Sequence, residues 1–75
     1  MAEIKTITYD CIVVDSSEMP KLRALGMLYQ DKDFSQVTVH EALRFATNSA
    51  AAKAIRKLAL DLGGQKITKQ TVKFL

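Results

Sequence analysis

The sequence predicts a small single α+β domain spanning residues 1–75, of element order β-α-α-α-β, with a short antiparallel sheet formed by the terminal strands. Three observations carry this. Residues 4–14 alternate with a period of two; a stretch from Thr38 to Gly64 has helical start, spacing and stop signals; and the tail from Gln65 is strand-like and rich in lysine.

In the first strand, Ile7, Tyr9, Cys11 and Val13 alternate with Thr6, Thr8, Asp10 and Ile12, the pattern of a half-buried strand made of residues that suit a pleated surface. Ile12 and Val14 on the other face imply that its C-terminal end is covered on both sides. Asp15-Ser16-Ser17-Glu18 then reads as a helix entry, and Pro20 is tolerable in a first turn, where its missing N–H has no partner to lose. Leu22, Leu25 and Tyr29 predict the buried stripe of a helix over 18–30. Gly26 costs that helix about 1 kcal/mol relative to alanine, which points to a close backbone approach or a kink. Met27 falls outside the stripe and is a candidate partner contact.

Asp31, Asp33 and Ser35 occupy the first, third and fifth positions of a calcium loop, but Gln36 stands where the turn needs glycine and Ala42 where the bidentate glutamate belongs. Calcium is therefore not expected. Thr38-Val39-His40-Glu41 has the S/T-x-x-E form of a capping box, with Val37 and Ala42 as a small hydrophobic staple. On a wheel of 100° per residue, Val39, Leu43 and Ala46 cluster roughly 120° from the Ala51, Ile55, Leu58 and Leu62 cluster. Two helices broken at Thr47-Asn48-Ser49, with Asn48 or Ser49 capping the second, explain this more simply than one long helix with a rotating face. Gly63-Gly64 supplies the positive φ that a helix end favours. In the tail, Ile67 and Val72 break strict alternation, which predicts a bulge near Lys69-Gln70. Two strands alone are marginal, so a third strand from the tail, or a partner subunit in a homodimer, is expected to complete the sheet.

Charge is unevenly distributed. Residues 1–43 hold four Lys/Arg and seven Asp/Glu, a net of −3, whereas residues 44–75 hold seven Lys/Arg against Asp61 alone, a net of +6. A basic half joined to an acidic half points to a polyanionic partner on one side; a solvated face kept charged for solubility is the plainer alternative. The single cysteine, Cys11, suits a reducing compartment. There is no charged-then-apolar leader, and Ile12-Val13-Val14 is too short to span a bilayer. A cytoplasmic protein without membrane contact is the expectation.

Little supports catalysis, and the chain is read as a non-enzyme without cofactor or metal. The one histidine, His40, falls in a first helical turn, where the dipole favours its neutral form. Cys11 has no neighbouring base in sequence, and no phosphate loop or metal-ligand spacing is present. Nucleic-acid binding is better supported. Lys53, Arg56 and Lys57 project opposite the Ala51/Ile55/Leu58/Leu62 stripe.

Two short helices joined at Thr47-Asn48-Ser49, with Ala42 and Ala46 allowing a close crossing, resemble a helix-turn-helix, and the Gly63-Gly64 turn with its lysine-bearing strand resembles the wing of a winged helix. The resemblance covers about half the chain; the turn lacks the usual glycine. It implies that Ser49, Lys53 and Arg56 approach bases or phosphates, with Lys57 on the same basic face, and that Lys66, Lys69 and Lys73 grip the flanking backbone. No tryptophan and few aromatics favour duplex DNA over single strands. A regulatory DNA-binding protein is thus the leading expectation. An inhibitor or adaptor of phage or plasmid type that binds a host protein, with Leu60 and Met27 as contacts, is the first alternative; a structural homo-oligomer is the second.

Overall fold

The computed structural model describes the backbone of residues 4–74 and the side chains of residues 4–72. Strand β1 (Ile4–Val13) pairs antiparallel with β2 (Gln65–Phe74), and between them lie α1 (Met19–Ala24), α2 (Gly26–Tyr29), α3 (Gln36–Leu43) and α4 (Ala50–Asp61). Helices α1 and α2 fill the span expected for one helix, interrupted at Leu25, so the order is β-α-α-α-β with the first helix in two pieces.

The ribbon runs in unbroken register from Ile4↔Phe74 to Val13↔Gln65. The bulge expected near Lys69-Gln70 is therefore absent. A bulge re-aims a residue that a core demands, and no core demands one here: Ile67 and Val72 lie on opposite faces, and both are exposed. The sheet has two strands among the described residues, with no third strand from the tail. Ten residues make a ribbon about 34 Å long, whereas the molecule measures 52 × 23 × 18 Å. Only Cys11 and Ile12 of β1 are buried, so the Val13/Gln65 end is docked on the helices while the Ile4/Phe74 end stands clear of them.

After β1, the Asp15 side chain caps a 3-10 turn at Ser16–Glu18 by accepting from the Ser17 N–H at 2.9 Å. That backbone bond, with the Ser17 side chain second, holds the Asp15 carboxyl below its ordinary value. Leu22 is fully buried and Leu25 packs on the core, but Tyr29 is half exposed, its ring 6.2 Å from that of Phe34. Gly26 is buried, and a Cβ there would overlap the Lys32 carbonyl and the Phe34 nitrogen. The 32–34 loop is thus laid against the helix, and it is clamped by Phe34 N–H to Arg23 O at 2.8 Å and Arg23 Nε–H to Phe34 O at 2.9 Å.

Helix α3 begins one turn earlier than the sequence suggested. Ser35, not Thr38, is the N-cap, accepting the Thr38 N–H at 3.1 Å, and the two hydroxyls hydrogen-bond at 2.9 Å. The earlier start places Phe34 before the cap and Val39 at the fourth helical position, both buried in one cluster as a staple larger than the Val37/Ala42 pair; Val37 is instead exposed. The break at 47–49 is where expected, with Ser49 accepting the Ala52 N–H at 3.1 Å. Helix α4 ends in a Schellman arrangement: Gly63, at φ 93°, bonds to Leu60 O at 3.1 Å and Gly64 to Ala59 O at 2.9 Å.

The core gathers Ile12, Leu22, Phe34, Val39, Leu43 and Ile55 around Ala42, Ala52 and Ala59. These three alanines let α3 and α4 approach closely. Ala46, the other small residue expected at the crossing, lies past the helix end and is exposed.

Candidate nucleic-acid interface

Helix α4 sets the geometry. Its buried arc is Ala52, Ile55, Arg56 and Ala59, with Ala51, Leu58 and Leu62 at the margin, so the inward face is rotated toward the alanines relative to the aliphatic stripe read from sequence. Lys53, Lys57 and Leu60 consequently share the outer side, spaced i, i+4 and i+7. Among the described residues neither lysine makes an ion pair. Ala50 and Ala54 keep that side low, and Asp61, the helix's one acid, sits at its last residue.

Arg56 does not belong to this face. It is only 8% exposed, and its guanidinium donates from Nη1 to Ala42 O (3.0 Å) and Thr47 O (2.7 Å) and from Nη2 to Asn48 Oδ1 (3.2 Å). Ala42 O is among the final carbonyls of α3, so the charge is met by the negative end of that helix and not by a carboxylate. The planar fork reaches three acceptors at once, which an ammonium cannot do in this geometry. Arg56 thus pins the turn between α3 and α4, and sequence reasoning misplaced it because a charged residue was assigned outward by default. The clue lay in Ala52 and Ala59, which flank Arg56 on the same arc and mark it as the close-packed side.

Phe45 completes the pin. It follows the cap of α3 at φ 60°, a conformation rarely adopted by a bulky residue, and Phe45 N–H to Ala42 O (3.1 Å) with Ala46 N–H to Glu41 O (2.9 Å) close the helix as a glycine normally would. Its ring lies under the Arg56 guanidinium at 4.7 Å and the Lys66 ammonium at 5.4 Å.

The other expected contacts are divided. Ser49 is exposed at the start of α4 with its oxygen engaged in the cap. Lys66 stands beside Phe45 and 3.6 Å from Asp10 across the ribbon, an exposed pair worth at most about 1 kcal/mol that a phosphate could displace. Lys69, three residues on in the strand, lies on the opposite ribbon face with His40 and Arg44. The Lys73 side chain lies outside the described residues. The lysines of β2 therefore do not form one surface with α4. Leu60 is 46% and Met27 53% exposed, on α4 and α2 respectively, and Leu28 beside Met27 reaches 81%. Among the described residues no three His, Cys, Asp or Glu side chains converge as metal ligands, and no helix is long and apolar enough to cross a membrane. Comparison with protein-family models, curated proteins and solved structures finds no match that assigns the chain to a family.

Proposed function

We propose that this chain is a cytoplasmic regulatory protein that binds duplex DNA through the outer side of α4. The supporting observation is that Lys53 and Lys57 lie one turn apart on a helix side made low by Ala50 and Ala54, with no acid before Asp61. Small residues let such a helix sit deep in the major groove while the lysines reach phosphates on its walls. Arg56 contributes by holding α3 and α4 at a fixed angle. Each lysine that meets a phosphate adds about −0.9 to the slope of log affinity against log salt. Fluorescence anisotropy with a labelled duplex at graded salt should give a steep negative slope, and Lys53→Gln and Lys57→Gln should each flatten it by about one unit. No binding at low salt, or binding indifferent to salt, would rule the proposal out.

Leu60 favours a second reading, an adaptor or inhibitor that docks on a protein, because a half-exposed leucine next to two lysines is a suitable anchor. Leu60→Glu separates the two. It should leave DNA affinity within a few-fold, whereas loss of partner capture in Leu60→Glu but not in the lysine variants would favour the protein-docking role.

A further inference from the structure

Between one face of the ribbon and the C-terminal half of α3 lies a cleft of about 290 Å³, close to the lower end of ligand-site volumes. Its apolar lining comes from Cys11 and Val13 on this face of β1, Met19 of α1 and Leu43 of α3. Its rim carries His40, Arg44 and Lys69. His40, Leu43 and Arg44 share one side of α3 through their i, i+3, i+4 spacing. Lys69 opposes Tyr9 in the ribbon register, which puts it diagonal to Cys11 on the same face, at a spacing of about 7–8 Å. A second concavity of about 360 Å³, lined by Tyr9, Ala46 and Thr71, adjoins through Arg44.

The electrostatics are one-sided. No Asp or Glu lines either concavity, and among the described residues neither Arg44 nor Lys69 makes an ion pair. Asp10, the acid of this part of β1, points to the opposite ribbon face, where it meets Thr68 and Lys66. A solvated charged face would not also need an apolar lining, and an ordinary hydrophobic groove would not be ringed with basic groups. An occupant that satisfies both has one anionic head for Arg44 and Lys69 and a hydrocarbon body for the lining. We propose that this cleft binds a small soluble organic acid, a carboxylate on an aliphatic or aromatic body. No residue of α4 lines the cleft, so the site is independent of the DNA-binding proposal.

Octanoate is a suitable probe, with 1-octanol and inorganic phosphate as arms that keep only the body or only the charge. Octanoate should shift the methyl resonances of Met19 and Leu43 saturably and slow alkylation of Cys11, which is 8% exposed in the cleft wall. Arg44→Gln should weaken it about tenfold and Lys69→Gln several-fold. Both residues are exposed and neither packs in the core, and the Lys69 variant gives an independent reading if the Arg44 variant is impaired in folding. Equal shifts from 1-octanol or from phosphate, unchanged octanoate affinity in both variants, or no saturable shift would overturn the proposal. So would capture of the chain by phosphatidylglycerol vesicles without any response to free octanoate, since that would assign the cleft to a lipid surface.

Discussion

Arg56 and Phe45 show how two side chains can fix the angle between two helices. Removing the Arg56 fork takes a donor from Thr47 O and Asn48 Oδ1 and leaves Ala42 O to the Phe45 N–H, and a buried polar group left unpaired costs about 1–3 kcal/mol. Arg56→Gln is therefore expected to lower stability by about 1–3 kcal/mol in urea unfolding. Arg56→Lys should fare little better, because the charge is kept but the fork is lost. Lys53→Gln should stay within about 0.5 kcal/mol of the parent, as befits an exposed side chain. Phe45 carries an opposite pair of effects, with a ring held by two cations and a backbone in the left-handed region. Phe45→Ala and Phe45→Gly both lose the ring, but glycine alone relaxes the backbone. Phe45→Gly should thus be the more stable of the two by about 1 kcal/mol, measured by thermal unfolding. An alanine variant equal to or better than the glycine variant would mean that the positive φ is not retained in solution.

At the level of elements, the ribbon and the helices differ in what holds them. The Val13/Gln65 end of the ribbon is tied to the core through Ile12, and its Cγ2 already lies 3.2 Å from where a Cβ on Gly64 would sit. The Ile4/Phe74 end has only its own ladder and half-exposed cross-strand neighbours. In the monomeric chain, amide hydrogen exchange should therefore fall off along the strands, slow for residues 11–13 and approaching the rate of local fraying for residues 4–7. Uniform protection along the whole strand would indicate that something further covers the free end. The helix boundaries follow a related logic: Ser35 prevails over Thr38 as the cap because the extra turn buries Phe34 and Val39 together, a gain that local capping geometry alone cannot register.

For the molecule as a whole, the free ribbon bears on assembly. Two-stranded ribbons are marginal in water, and Ile4 and Val72 are more than half exposed on the part that projects from the helices. We expect a homodimer in which this part of the ribbon gains further strands or a packed face; light scattering should give twice the chain mass, and Ile7→Lys should return the monomer. A monomer with full ribbon protection would remove the need for a partner. Much of this architecture was legible in the chain. Period-two alternation, the break at 47–49 and the Gly63-Gly64 stop are local patterns imposed by backbone geometry, so the strands, the helices and the fold class follow from neighbours in sequence. Contacts between residues far apart decided the rest. They turned Arg56 inward to carbonyls of α3 and its turn, sent Lys66 and Lys69 to opposite faces of a bulge-free ribbon, and brought His40, Arg44 and Lys69 around one apolar cleft. Such placements depend on how helices cross and where a ribbon docks, and no periodicity along the chain encodes either.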